Sequence, residues 1–119
     1  MRLADVHISI HDDAVVARLI GEIDISNAGE LRTAVTDATP NDALGVVLDL
    51  TGVDYIDSAG IQLLYRLRES LRVRGQALRL VIPRDSRVAH TLQLAGIERT
   101  VDVVEAVDEG LEALASASG

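Results

Sequence analysis

The stretch Gly45 to Leu50 constrains this chain more than any other, because Val46-Val47-Leu48 is a nearly continuous apolar run with no polar face to offer water. A short strand of that kind belongs in the middle of a sheet covered on both faces. Downstream the period changes. Ile61, Leu64, Leu67 and Leu71 recur at helical spacing up to about Gly75, so the strand feeds a helix through the segment Thr51 to Asp57. A covered strand followed directly by an amphipathic helix points to a layered α/β domain.

The remaining elements fit around this unit. From Leu3 to Ile10, Val6, Ile8 and Ile10 alternate with Asp5, His7 and Ser9, which predicts a half-buried strand near a sheet edge. Asp12-Asp13 supply a turn, and the connection is short enough to force Ala14 to Ile20 into antiparallel pairing with the first strand. Asn27, followed by Glu30, resembles a capping box for a helix that runs to about Thr39, buries Leu31, Ala34, Val35 and Ala38, and stops at Pro40-Asn41-Asp42. Ala77 to Ile82 predicts another strand, stopped by Pro83. Asp85-Ser86 then caps a helix carrying Val88, Ala89, Leu92 and Leu94 before Gly96. Val101 and Val103 suggest a last strand. Ala106 to about Ala115 forms a closing helix on Val107, Leu111 and Leu114, and the tail Ser116 to Gly119 is expected to fray. The order β β α β α β α β α predicts an N-terminal β-hairpin feeding a mixed, mostly parallel sheet packed with about four helices. With no repeat or linker, residues 1–119 read as a single domain.

Composition narrows the function. The 119 residues carry 19 acids against 11 bases, a formal charge of −8, and no cysteine, so thiol catalysis, disulfide frameworks and cysteine-bound zinc are excluded. Every base is Arg, which removes Schiff-base chemistry and a P-loop lysine. The acidic field and the lack of aromatics beyond Tyr55 and Tyr65 argue against nucleic acid as a partner. The longest apolar run is broken by Asp49, so no membrane span is expected; the N-terminus lacks the pattern of a secretory signal, and a cytoplasmic location follows. His7, His11 and His90 have no metal-ligand spacing, and no metal or cofactor is expected. The cluster Arg66, Arg68, Arg72 and Arg74 reads as a solvated helix face that could also meet an acidic partner.

Chemistry, if there is any, sits in Asp49 to Ile61, where the central strand delivers a hydroxyl to a helix start. Ser58 or Asp57 can simply cap that helix, at about 1 kcal/mol. From spacing alone that is the simpler reading; the alternative is that Ser58 stands exposed at the positive helix end, where a phosphate is tolerated. Gly60 costs about 1 kcal/mol against alanine inside a first turn, which is recovered where a backbone approaches closely or where the helix must seat on the sheet. Ile61 suits a core stripe as well as an exposed surface, and Glu22 and Asp24 read as solvated loop acids.

Asp57-Ser58-Ala59-Gly60-Ile61, preceded by Asp49-Leu50 and, upstream, by Gly21-Glu22-Ile23-Asp24, resembles the signature of STAS domains of the anti-sigma factor antagonist type. The resemblance covers the whole element order, down to Leu94-Ala95-Gly96-Ile97. It implies a STAS fold and a non-catalytic regulator. The unmodified form would bind an anti-sigma factor that is itself a serine kinase of the GHKL type and release the sigma factor, and phosphorylation of Ser58 would switch binding off. The kinase would supply ATP and magnesium, and a PP2C-type phosphatase would restore the hydroxyl. The implied partner surface joins Asp24, Ser26 and Asn27 to Asp57, Ser58, Ala59, Gly60, Ile61 and Gln62. Ala59 departs from members with a second hydroxyl at that place. The alternative within the fold is a scaffold or transporter-accessory module that no such kinase regulates.

Two other classes fit worse. A phospho-acceptor receiver needs a helix after Asp12-Asp13, where Ala14 to Ile20 reads as a strand, and a late lysine that this chain lacks. A serine hydrolase needs Gly-x-Ser-x-Gly, but Ile56 stands at the first glycine position, and His90 belongs to the third helix pattern.

Overall fold

The computed structural model describes residues 4–118. Five strands, β1 (Asp5–His11), β2 (Ala14–Ile23), β3 (Gly45–Ile56), β4 (Ala77–Val81) and β5 (Asp102–Val104), form one sheet in sequential order. β1 and β2 pair antiparallel, and the other pairs are parallel. The helices are α1 (Ala28–Ala38), α2 (Ser58–Val73), α3 (Arg87–Leu94) and α4 (Val107–Ser118), with a single 3-10 turn at Ile97–Arg99. β3 is central and β1 is an edge, as the apolar patterns predict.

Sequential strand order decides which helix covers which face. Parallel crossovers are right-handed, so three of them running in one direction across the sheet place α1, α2 and α3 on the same side. Their Leu31, Val35, Leu64, Leu67, Leu71, Val88 and Leu92 pack on Val15, Ala17, Leu19, Val46, Leu48, Leu50 and Leu80 in the larger core. Only α4 remains for the opposite face, where Leu114 meets Ala14, Val16, Val47 and Val81. The helix lies close to the sheet there: a Cβ on Gly110 would stand 2.9 Å from Val47 Cγ1.

Several boundaries differ from the sequence reading. β2 and β3 do not stop near Ile20 and Leu50 but stay paired to Ile23 and Ile56. The register shifts between Arg18 and Ile20 and between Gly21 and Glu22, so β3 takes up extra residues, and Gly21 adopts φ 116° at the second shift. Such bulges break the period-two alternation, which is why Thr51 to Ile56 reads as a loop. Leu94 points to solvent although the helical stripe included it, because α3 ends there and Gly96 turns the chain at φ 71°. Ile8 and Ile10 are exposed where a half-buried strand was expected. α4 continues to Ser118, so the tail from Ser116 is helical where fraying was expected; Gly119 and Met1 to Leu3 lie outside the described residues.

Candidate functional site

The site is built at the carboxyl end of the central strands. Ile23 and Ile56 close the β2–β3 ladder side by side, and after each the chain turns into a helix. Asp57 N–H donates to Ile23 C=O at 3.3 Å, tying the second turn to the first strand end.

At α2 the two residues that could cap the helix divide the work. Asp57 Oδ1 accepts from Ala59 N–H at 2.9 Å and Gly60 N–H at 3.1 Å, the standard use of an aspartate at this position. Ser58, the first helical residue, is exposed and makes no side-chain hydrogen bond among the described residues. Its hydroxyl is therefore not needed to hold the helix.

Gly60 serves packing. A Cβ there would lie 2.4 Å from Ile56 Cγ1 and 3.0 Å from Ile23 Cγ2, so the first turn of α2 seats directly on the strand ends. Ala59 and Ile61 are half-buried and pack against the larger core, while Gln62 is exposed. Of the two readings left open for Ile61, the core one fits its position better.

The loop after β2 is held by its own side chains. Asp24 Oδ1 accepts from the Ser26 N–H and the Ser26 hydroxyl. The hydroxyl bond is the main cause that lowers the Asp24 pKa below its ordinary value, with the Ser26 backbone bond and, less, the Asn27 backbone bond adding to it and desolvation opposing them. Asn27 stands at the N-cap position of α1 but makes no side-chain cap, which corrects the capping-box expectation. Its Oδ1 accepts from Asp24 N–H at 3.0 Å and its Nδ2 donates to Glu22 C=O at 2.8 Å. Asn27 is 5% exposed, and these loop groups would be costly to leave unpaired, so they outcompete the helix end for its amide. Glu30 is left in solvent.

Between α1 and α2 the two helix starts leave a shallow groove of about 230 Å³ lined by Ile25, Ala28, Arg32, Ala59, Gln62 and Arg66. Ile25, at its lip, is 85% exposed. Ile25, Arg32 and Arg66 were not among the predicted site residues. An apolar residue between Asp24 and Ser26 gives a hint, but only the juxtaposition of two helices shows that it borders a groove with two guanidinium groups.

The basic face of α2 is not uniform. Arg72 pairs with Glu69, whereas Arg74 folds back and donates to Thr36 C=O, Thr39 C=O and Asn41 Oδ1. Arg74 thus satisfies carbonyls at the α1 C-terminus instead of lying on a solvated face.

The STAS domain family model matches residues 5–110. Among curated proteins, the chain is 31% identical over 105 residues to the anti-sigma-F factor antagonist RsfA of Mycobacterium tuberculosis, covering 87% of this chain and 81% of the relative. It is 25% identical over 107 residues to RsfB of the same organism, covering 89% and 85%. A crystal structure of an anti-sigma factor antagonist from Mycobacterium paratuberculosis shares the fold with a TM-score of 0.77 at 24% identity, covering 94% of each chain. The family match runs from the first residue of β1 into α4 and so takes in every strand of the sheet; the chain belongs to the STAS domain family.

Proposed function

We propose that this chain is an anti-sigma factor antagonist whose unphosphorylated form binds an anti-sigma factor serine kinase and so frees a sigma factor, with phosphorylation of Ser58 ending the interaction. The observation that carries the reading is the division of labour at α2: Asp57 caps the helix, and Ser58 presents an exposed hydroxyl with no structural duty. The names of the RsfA and RsfB relatives support the role. In this reading the chain is substrate and ligand, not catalyst. The GHKL-type kinase brings ATP and magnesium, a PP2C-type phosphatase reverses the modification, and both act in the cytoplasm. Among the described residues no helix is long and apolar enough to cross a membrane.

The partner surface consists of the exposed start of α2, the Asp24 to Asn27 loop and the groove edged by Ile25, Arg32 and Arg66. Phosphate adds about −1.5 to −2 charge at a helix N-terminus, which tolerates it, so the fold persists. The new charge joins Asp24, Asp54 and Asp57 on a preformed surface and weakens docking through electrostatic mismatch and bulk.

The test is intact-mass analysis and site mapping of the protein purified from its host, with capture of partners by wild type, Ser58→Ala and Ser58→Glu. Phosphate at Ser58, with a kinase retained by wild type and Ser58→Ala but not by Ser58→Glu, is the expected result. An unmodified Ser58 under all growth conditions, with no kinase retained, would replace the antagonist by the scaffold or transporter-accessory module.

A further inference from the structure

β1 leaves a long edge open. Among the described residues its only strand neighbour is β2, and its seven residues Asp5 to His11 contain no Pro, Lys or Gly and pair without a bulge. Proteins ordinarily blunt an edge strand with just such devices, or keep it short as β5 is at three residues. On β1, Ile8 is 36% exposed and Ile10 is 61% exposed.

The hairpin fixes which backbone groups face outward. Asp12-Asp13 form a two-residue turn, with Asp12 at φ 55°, between the paired residues His11 and Ala14. The pair flanking such a turn exchanges both backbone hydrogen bonds, and the pattern alternates from there. His11, Ser9, His7 and Asp5 therefore direct N–H and C=O toward β2, while Ile10, Ile8 and Val6 direct theirs away from it. The register sets Val6, Ile8 and Ile10 opposite Leu19, Ala17 and Val15, so their side chains share the face covered by α1 to α3.

We propose that β1 pairs antiparallel with β1 of a second copy of this chain, about a twofold axis at Ile8, joining the two sheets into one continuous sheet. The occupant is a second copy because the strand complements itself. Reversed about Ile8, Val6 meets Ile10, His7 meets Ser9 and Asp5 meets His11, so a carboxylate faces an imidazole at both ends. The outward groups of Val6, Ile8 and Ile10 then meet their counterparts, each pair exchanging two hydrogen bonds. Asp5 and His11 form non-hydrogen-bonded pairs, where opposite side chains come closest. His11 Nε2 lies 2.9 Å from Ser9 Oγ; with the hydroxyl donating there, Nδ1 carries the ring proton and can donate to Asp5 of the second copy. A slip of two residues in either direction sets His7 against a histidine and takes Asp5 away from His11, so the Asp5–His11 pairing selects one register. An isologous contact of this kind closes on itself and does not propagate.

Analytical ultracentrifugation of the full chain tests the proposal independently of Ser58. Wild type is expected to show a concentration-dependent species of twice the monomer mass. Ile8→Pro removes an outward N–H that the hairpin does not use, and is expected to weaken association by about 30-fold or more while circular dichroism stays native. His11→Asp sets two carboxylates opposite one another, and Asp5→Arg replaces the acceptor of the His11 N–H by a cation; each is expected to weaken association by about fivefold, whereas the double variant Asp5→Arg/His11→Asp sets an ion pair there and restores it. Should Ile8→Pro not fold, the charge-reversal set carries the test. A wild type that stays monomeric up to its solubility limit, a dimer indifferent to a folded Ile8→Pro, or a double variant that fails to recover would overturn the proposal.

Discussion

At the start of α2 the Asp57 carboxylate already engages the Ala59 and Gly60 N–H groups, so a phosphate on Ser58 arrives beside an acid and at donors that are partly spent. In the function proposed above, such a phosphate would gain little inside the chain, and its effect would fall on the docked partner. Ser58→Glu is expected to lower affinity for the captured kinase by about tenfold or more, with unchanged far-UV circular dichroism; calorimetry of the purified pair measures it. In the neighbouring loop, the Ser26 hydroxyl holds Asp24 below its ordinary pKa. A depressed carboxyl contributes stability that is present above its unfolded pKa and is lost as pH falls through the folded one. Ser26→Ala is therefore expected to move the Asp24 titration upward toward the usual aspartate value and narrow that acid window, as a carbon-detected NMR titration would report. Asp24 and Ser26 stand two apart in sequence, close enough for such an Asx contact to be legible; which acceptor Asn27 would choose was not.

The helix starts show how far local pattern reaches. Ser86 caps α3 as its sequence predicts, accepting from Ala89 N–H at 2.9 Å, and Gly75 at φ 75° closes α2 with the Gly75 to Arg72 and Gln76 to Leu71 backbone bonds of a Schellman motif. Asn27 and Arg74 depart from expectation because their partners lie on other elements or in the loops that join them. The consequence for stability is unequal. Asp57→Ala loses a half-buried cap and is expected to cost about 1 kcal/mol, recovered in part by Asp57→Asn. Asn27→Ala orphans the Asp24 N–H and the Glu22 C=O near the core and is expected to cost about 2 to 3 kcal/mol, so urea denaturation should rank Asn27 above Asp57. The reverse order would mean that the loop is held by something other than its amide.

Across the whole molecule the sheet separates two cores of different size, three helices against one. Truncation should register that asymmetry. Leu67→Ala sits deep under α2 and is expected to cost about 4 kcal/mol, whereas Leu114→Ala, between a single helix and the opposite face, is expected near 2 to 3 kcal/mol because α4 can settle toward Val47 and Val81. Equilibrium unfolding of the two variants checks the difference. The same architecture brings the site together: β2 and β3 run parallel, so the loops that follow them emerge at one end, and residues about thirty positions apart in sequence become one surface.

Element order, the antiparallel hairpin, the central place of β3 and the acidic serine-bearing helix start are all legible in the sequence, because each rests on local periodicity or on turn and cap chemistry within a few residues. Which helices share a face, how far β3 extends through its bulges, whether Asp57 or Ser58 caps α2, and the groove that Ile25 shares with Arg32 and Arg66 were decided only by tertiary structure. Those features depend on crossover handedness, on competition for buried hydrogen-bond partners and on contacts between segments distant in sequence, and none of these leaves a period in the chain.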